Sequence, residues 1–286
     1  MQSHAVKDYH TYAKLGQFQE AAKCLQTTLK DKPNDLETFY MLHRLGEKVL
    51  NSTLKDKIVK VIRDDCTKMD LAYGNLLLAK FEQQAKNYEG ELHYLLKGHN
   101  YFFQSKKGKF EAELKYWFDI LPRIEEIISL EKSNKNNHHI KPIFIVGLPR
   151  CGSTLIEKVI TSGPKAIPVG EETGIFNTLI HQGSRTKILE AYRQRNLIQA
   201  ASDYTFTDKS LENFFYIKFI KEIFPSAKVI NCTRNTLSSI ISILQTNLTE
   251  VAWTHHLKHI YKFFGLYHQK MKNFPDFIYH LNYEKF

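Results

Sequence analysis

Cysteine is scarce in this sequence of 286 residues. The four cysteines stand far apart and show no C-x-x-C spacing: Cys24, Cys66, Cys151 and Cys232. Disulfide frameworks and structural zinc sites need closely and repeatedly spaced cysteines, so this pattern argues against both. It indicates a reducing compartment, and we expect a cytoplasmic protein.

Long apolar runs are missing as well. No apolar run approaches about 18 residues, the length that suggests a membrane-spanning helix. The N-terminus does not combine a basic region with an apolar one, as a secretory signal would. The sequence therefore predicts neither a membrane span nor a signal peptide.

Acidic residues are outnumbered by basic ones. Lys and Arg number 40 against 30 Asp and Glu, which gives a formal net charge of +10. Such a balance favours an anionic partner, although the lysines are scattered through helical segments as on an ordinary solvated surface. Basic motifs interleaved with aromatic residues are absent from the sequence, so we expect no nucleic-acid partner.

Two different hydrophobic rhythms divide the chain. Residues 1–131 carry apolar positions at three- and four-residue spacing, which predicts one helix after another. Residues 132–141 are polar and without periodicity, as in a linker. In residues 142–286 short β-branched runs alternate with helical patterns, which is typical of an α/β domain with a parallel sheet.

The segment KLGQFQEAAKCLQTTLKDKPND resembles the second half of a tetratricopeptide repeat. Gly16 falls at the turn between the two helices of the repeat, Phe18 and Ala21 where they pack closely, Leu25 and Thr28 on the buried face, and Pro33 at its end. A later segment matches in part, through Tyr88, Leu92, Leu95 and Gly98. We predict two or three degenerate repeats, and a plain helical bundle stays the alternative.

A strand, a loop and a helix are predicted from Pro142 to Gly163. The apolar run PIFIVG predicts a buried strand, and STLIEKVITSG predicts a helix with Leu155, Val159 and Ile160 facing inward. The loop GLPRCGST matches the P-loop pattern G-x-x-x-x-G-K-[ST] at Gly147, Gly152 and Thr154, but Ser153 stands in place of the lysine.

This loop is suited to an anion other than a triphosphate. Backbone N–H groups and a helix N-terminus still favour negative charge without the lysine. A kinase or NTPase needs that lysine and magnesium to neutralise the transferring phosphoryl group, so this class is only the runner-up. Arg150, small residues and two hydroxyls would instead suit a sulfuryl group.

The stretch GLPRCGSTLIEKVI resembles the 5′-phosphosulfate-binding loop of sulfotransferases that use 3′-phosphoadenosine 5′-phosphosulfate (PAPS). The resemblance is greatest to the branch with tyrosylprotein sulfotransferases and bacterial enzymes that carry N-terminal tetratricopeptide repeats. It implies a PAPS-binding loop made of Arg150, Cys151, Gly152, Ser153 and Thr154. Cys151 departs from the serine or glycine usual in the family. A thiol at a helix N-terminus can be reactive, but we interpret Cys151 as a simple substitution.

The stretch PVGEETGIF resembles the family's GEET segment, in which the second glutamate is the catalytic base. The resemblance implies that Glu172 deprotonates the acceptor hydroxyl. Glu171 stays a candidate, because the spacing from Arg150 is one residue longer than the family leads us to expect. Two acidic residues could also simply open a helix, where the helix dipole favours them.

Two later segments resemble the family's remaining ligand-binding elements. FTDKSLEN implies that Lys209 places its charge near the bridging oxygen, with Arg150 stabilising the same leaving side. AKVINCTRNTLSSIISIL implies that Arg234, at the end of a strand, and Ser242, eight residues later, bind the 3′-phosphate. Asn235 and Thr236 follow the arginine where the family often has an acidic turn.

The C-terminal part of the sequence offers less. His255 and His259 lie one helical turn apart but without an H-E-x-x-H pattern, so we expect no metal. The resemblance covers residues 140–286 and the repeats. In the family more chain follows the strand that ends in Tyr283 and Glu284, so we expect a further segment or a partner to complete the site.

The resemblance thus implies a metal-independent sulfotransferase that moves a sulfuryl group from PAPS to a hydroxyl, and we expect tyrosine in a peptide or protein as the acceptor. The non-enzymatic alternative is a repeat-based interaction protein whose second domain has lost catalysis. The sequence leaves open the identity of the acceptor and whether the chain forms a homodimer.

Overall fold

A computed structural model of the chain describes residues 4–63, 66–132, 137–164, 166–198 and 204–285. These residues form two compact units. The first comprises the residues up to Glu111 together with Thr249–His256. The second comprises Ala112–Leu248 and the residues from Leu257 onward.

The first unit is helical, as predicted. Its helices are α1 (His4–Lys14), α2 (Phe18–Asp31), α3 (Leu36–Arg44), α4 (Ser52–Val61), α5 (Lys68–Gln84) and α6 (Tyr88–Ser105), followed by α7 (Lys107–Lys115), which continues into the second unit, and a short 3-10 helix at Ala252–His255. Side chains cap several N-termini: Asn51 Oδ1 accepts from Leu54 N, and Thr67 with Asp70 forms a capping box.

Helix pairing in the first unit agrees in part with the repeat pattern. Gly16 turns between α1 and α2 with φ of +72°, and Leu25 and Thr28 are buried as predicted. Phe18, however, is 56% exposed, because as the first residue of α2 it lies at the edge of the packed face. Helices α2, α4 and α6 begin at residues 18, 52 and 88, so they recur after 34 and 36 residues. Their identity as tetratricopeptide repeats stays a prediction.

The second unit is built on a parallel sheet, which confirms the predicted α/β class. Its strands are β1 (Ile143–Gly147), β2 (Thr207–Asp208), β3 (Lys228–Thr233) and β4 (Ile278–Asn282), in the order β2-β1-β3-β4. Ile143 is paired with Thr207 on one side and with Lys228 on the other, and Val229 with Ile278. All four strands therefore end at one edge of the sheet.

Helices and single turns cover this sheet. They are α8 (Ile124–Ile127), α9 (Ser153–Thr161), α10 (Ile175–Leu179), α11 (Arg185–Gln194), α12 (Ile217–Ile223), α13 (Thr236–Thr246) and α14 (Leu257–Met271), with a π-helical turn at Tyr116–Ile120 and 3-10 turns at Leu121–Arg123, Ile180–Gln182, Leu211–Tyr216 and Tyr283–Lys285. Phe144 of β1 packs on Phe176 and Phe224 in the core. Within the described ranges, none of the helices is long and apolar enough to cross a membrane.

The predicted inward face of α9 is wrong at two of its three positions, whereas Ile160 packs against the core as predicted. Leu155 and Val159 are each 45% exposed, whereas Ile156 and Glu157 are buried. The buried face of α9 consists of Ser153, Ile156 and Glu157, which are three and four residues apart. The Glu157 carboxylate can lie on this face because Thr207 donates a hydrogen bond to it.

The compact units divide the chain elsewhere than at the predicted linker. Residues 112–131 belong to the second unit, in which Trp117 packs on Phe215 and Phe263 and the Glu125 carboxylate binds Lys270 at 2.8 Å. The limits 1–131, 132–141 and 142–286 stay a prediction about domains, and residues 133–136 of the linker lie outside the described residues.

Close packing between α5 and α6 depends on a glycine. A Cβ atom at Gly98 would lie 2.8 Å from Leu76 Cγ and 3.1 Å from the Ala72 carbonyl oxygen. We expect Gly98→Val to lower the free energy of unfolding by about 1–3 kcal/mol through overpacking. The measurement is urea denaturation followed by circular dichroism.

Gly108→Val is the matched control, because Gly108 is also helical and a Cβ there would meet nothing within 4 Å. It should change stability by no more than about 0.5 kcal/mol. Equal losses in both variants would contradict the close approach of the two helices.

Candidate active site

The loop between β1 and α9 wraps around the N-terminus of α9. Cys151 N donates to the Leu148 carbonyl at 3.2 Å, and Gly152 has a left-handed φ of +90°. A Cβ at Gly152 would overlap the ring of Tyr283, so both the conformation and the space require glycine. The first N–H groups of a helix lack intrahelical partners, which makes this N-terminus a place for an anion.

Three predicted ligand residues come together beside this loop. Arg150 Nε donates to Ser242 Oγ at 3.0 Å, although the two residues are far apart in sequence. Arg234 donates to the Arg150 carbonyl oxygen at 3.0 Å, and its guanidinium lies 5.2 Å from the ring centre of Tyr283. Ser242 on α13 and the ends of β1, β3 and β4 thus form one cluster.

Lys209 lies beside residues 147–154, the stretch that is predicted to bind an anion and is called the anion-binding loop below. Its side chain is 3% exposed, and Nζ donates to Thr154 Oγ1 at 3.3 Å and to Glu171 Oε1 at 3.0 Å. The carboxylate of Glu172 lies 4.0 Å from the same ammonium, with its side chain 76% exposed. The predicted base, its alternative and the predicted cation are therefore neighbours.

The segment that carries the two glutamates is bonded to β2. Gly170 N donates to Thr207 Oγ1 at 3.2 Å, and Lys209 N donates to the Gly170 carbonyl at 3.0 Å. Glu172 has a left-handed φ of +47°, which costs energy for a residue with a side chain. The hydrogen bonds on either side of it hold the backbone in this conformation.

Cys151 is placed differently from the other loop residues. Its side chain is 1% exposed and packs with Ile145, Ile156 and Cys232 in the core, so its thiol is not a surface nucleophile. A hydrogen bond with Cys232 and others from Ser153 lower the pKa of Cys151, while the bond with Cys151 and burial raise the pKa of Cys232. That Cys151 binds the donor stays a prediction. Because its side chain is buried, Cys151 would contribute only its backbone N–H group. Ser153 is buried and Thr154 is exposed.

Two buried carboxylates lie among the predicted site residues, although the motifs in the sequence gave neither of them a role. Glu157 of α9 accepts a hydrogen bond from Thr207 Oγ1 at 2.8 Å, and Asp208 ends β2 beside Lys209. Burial raises the pKa of both; for Glu157 the hydrogen bond from Thr207 and the charge of Lys209 oppose this. For Glu157 the sequence did contain a signal: its spacing from Ser153, Ile156 and Ile160 places all four residues on one face of a helix, which predicts that Glu157 is buried with them.

Metal ligands are not gathered in the described part of the chain: no group of three or more His, Cys, Asp and Glu residues there could hold an ion. His255 Nδ1 lies 2.9 Å from His99 Nδ1 in the helical unit, and the ring of His259 packs on Phe118 in the other unit.

The four strand ends together define a class of protein. Arg150, Lys209, Arg234 and Tyr283 follow β1, β2, β3 and β4 in turn, at the edge where open parallel sheets bind ligands. This is the arrangement of an α/β domain with a P-loop-type anion site. The chain belongs to the sulfotransferase family: the family model described as "Sulfotransferase family" matches residues 142–205 and 187–286.

A similar protein comes from Aquifex aeolicus (strain VF5). This uncharacterized protein is 26% identical over 256 residues, an alignment that covers 76% of this chain and 33% of the relative. The chain thus spans a third of the length of the curated relative it matches.

The raised pKa of Glu157 predicts a pH-dependent effect on stability. Because the folded state holds this proton more tightly than the unfolded chain, the ionised carboxylate destabilises the fold at pH values above its folded pKa, and the penalty disappears as pH falls. Glu157→Gln is neutral and keeps an acceptor for Thr207. It should raise the melting temperature at about pH 8, and the gain should shrink toward about pH 5.

Glu190→Gln, at an exposed position of α11, is the control and should leave the melting temperature unchanged at each pH. A lower melting temperature for Glu157→Gln at about pH 8 would mean that attraction to Lys209 outweighs the cost of burial.

Proposed function

We propose that the chain transfers a sulfuryl group from PAPS to a hydroxyl acceptor, with tyrosine in a peptide or protein as the favoured acceptor. Membership of the sulfotransferase family supports the reaction type. The observation that carries the proposal is the Lys209 ammonium, which contacts Thr154 of the anion-binding loop and lies within 4.0 Å of two candidate bases.

The distribution of charge supports a donor with two anionic ends. The N-terminus of α9 suits the 5′-phosphosulfate, and the cluster of Arg150, Arg234 and Ser242 suits the 3′-phosphate. The described contacts of the two guanidinium groups are with a hydroxyl, a backbone carbonyl and an aromatic ring. Among the described residues no carboxylate is ion-paired with either guanidinium group, so both charges can attract an anion.

The proposed chemistry assigns a separate role to each side chain. Glu172 takes the proton of the acceptor hydroxyl as that oxygen bonds to sulfur, and Lys209 stabilises the negative charge on the oxygen that leaves sulfur. Arg150 supports the same leaving side. Glu171, ion-paired with Lys209 at 3.0 Å, is the alternative base. A sulfuryl group carries less charge than a phosphoryl group, so the proposed reaction uses no metal.

The helical unit supports the branch of the family that we favour. Helices α2, α4 and α6 begin 34 and 36 residues apart, close to the 34-residue period of tetratricopeptide repeats, and such repeats form extended binding surfaces. We therefore propose a peptide or protein as the acceptor. The cytoplasmic location that we propose rests on the cysteine pattern of the sequence, and the lack of a nucleic-acid partner on its missing basic motifs. This assignment of the repeats to acceptor binding is by analogy of fold.

Ligand binding separates this proposal from a kinase or NTPase. At about 100 times its dissociation constant, adenosine 3′,5′-bisphosphate should stabilise the fold by about 2.7 kcal/mol. Arg234→Ala should weaken its binding by about ten- to a hundredfold through the lost charge-assisted hydrogen bonds, with far less effect on adenosine 5′-phosphosulfate, which has no 3′-phosphate. Thermal shift and calorimetry measure both.

Arg193→Ala, which removes an exposed arginine of α11, is the control and should bind like the unmodified chain. Stabilisation by magnesium-ATP with no effect of the bisphosphate would refute the proposal.

Activity with labelled PAPS and a pool of tyrosine peptides, glycans and phenols tests the base. Glu172→Gln should lower kcat by about 10²- to 10⁴-fold, the usual range for a general base, and leave bisphosphate binding intact. Glu171→Gln should have a smaller effect. A larger loss in Glu171→Gln would transfer the role to Glu171, and full activity in both variants would exclude a carboxylate base from this segment.

A further inference from the structure

The carboxylate of Asp208 is surrounded by hydrogen-bond donors. Asp208 is fully buried at the end of β2, and its backbone is paired with that of Phe144 in β1. Oδ1 accepts from Ser210 N at 3.0 Å and Ser210 Oγ at 2.8 Å, and Oδ2 accepts from Thr173 Oγ1 at 2.7 Å and Tyr192 OH at 2.5 Å. Four donors on two oxygens match an ionised carboxylate, which has acceptor sites only.

One pair of these bonds fixes the backbone on both sides of Lys209. Asp208 and Ser210 flank the lysine, and the bonds from Ser210 to Oδ1 close a tight turn around it. The backbone N–H of Lys209 donates to the Gly170 carbonyl. The direction in which the lysine leaves the end of β2 is therefore set by Asp208.

The other oxygen holds the segment with the two glutamates. Thr173, which directly follows Glu172, donates its hydroxyl to Oδ2, and Gly174 N donates to Ser210 Oγ at 3.0 Å. Gly170, on the other side of the glutamates, is bonded to Thr207 and Lys209. The strained backbone of Glu172 is thus anchored before and after the carboxylates.

We propose that Asp208 is a positioning residue for sulfuryl transfer, whose single buried carboxylate holds the Lys209 ammonium and the Glu171–Glu172 segment in register. The inference rests on the proposed function of this site. Asp208 touches no reacting group. It acts through Ser210 on the cation and through Thr173 on the base, and a displacement of about 1 Å in such a pair costs on the order of a hundredfold in rate.

Tyr192 of α11 provides the internal control, because its hydroxyl donates to the same Oδ2. The hydroxyl also meets that of Thr173, but its described hydrogen bonds include none to Lys209, Glu171 or Glu172. Tyr192→Phe removes one of the four donors and should lower the melting temperature while kcat stays within about twofold. A carboxylate that served stability alone would make Tyr192→Phe and Thr173→Val alike in both respects.

Three variants test the positioning role. Asp208→Asn turns an amide N–H₂ toward two donors, and Thr173→Val removes the hydroxyl while keeping the shape of the side chain. Both should lower kcat by about ten- to a hundredfold with the KM for PAPS within about twofold. Thr173→Ser keeps the hydroxyl and should restore most of the rate. If Asp208→Asn does not fold, Thr173→Val and Thr173→Ser still decide the question.

Coupling to Glu172 gives the sharpest readout. If Thr173 acts by placing the base, Thr173→Val combined with Glu172→Gln should be no slower than Glu172→Gln alone. The positioning role would be overturned if the kcat losses of Thr173→Val and Glu172→Gln multiply in the double variant. It would also be overturned if a change in the KM for PAPS accounts for the whole loss, or if Tyr192→Phe is as slow as Thr173→Val.

Hydrogen exchange separates a failure of this inference from a failure of the proposed function. Amides in a peptide that covers residues 170–174 should exchange faster in Asp208→Asn and Thr173→Val but not in Tyr192→Phe, and this readout needs no sulfotransfer. If the unmodified chain transfers no sulfuryl group but the variants show this exchange pattern, the proposed function fails and the positioning role of Asp208 is retained. If amide exchange in residues 170–174 is unchanged in Thr173→Val, the positioning role is overturned, whatever the sulfotransferase activity of the variant.

Discussion

The charge of Lys209 is the constraint on which the site depends. Its side chain is almost completely buried, and an ammonium without a partner in such a place costs several kcal/mol. Glu171 at 3.0 Å and Thr154 at 3.3 Å offset that cost. Since these partners belong to the glutamate segment and to the anion-binding loop, burying one cation connects both segments to the end of β2.

Acidic groups around this cation show how the fold accepts an unfavourable arrangement. Burial raises the pKa of Glu157 and Asp208, and Glu171 and Glu172 add further negative charge around one ammonium. A scaffold selected for stability alone would not collect so many carboxylates. Such local conflicts are expected where a site serves function, and hydrogen bonds from Thr207, Thr173 and Ser210 limit their cost.

The parts that could be predicted from the sequence were local ones. An apolar run between Pro142 and Gly147 and the glycine spacing after it indicate strand, loop and helix without tertiary information, and parallel strands bring their carboxyl ends to one edge. Arg150, Lys209 and Arg234, whose roles were implied by the family resemblance, follow β1, β2 and β3 at that edge. Long-range contacts could not be predicted in this way: a hydrogen bond from Thr207, which is 50 residues away in the sequence, offsets the cost of burying the Glu157 carboxylate.

The loop lacks the P-loop lysine, and Lys209 at the end of β2 supplies a positive charge beside it. With Ser153 at the P-loop position, the cation comes from the adjacent strand, and Lys209 Nζ reaches Thr154 Oγ1 from the end of β2. A loop lysine would move with the anion-binding loop alone. Lys209 is held by the same residues that hold Glu171 and Glu172, so any shift of the glutamate segment also moves the cation. Supplying the charge from a second strand thus couples the anion site to the candidate base through the backbone of residues 207–210.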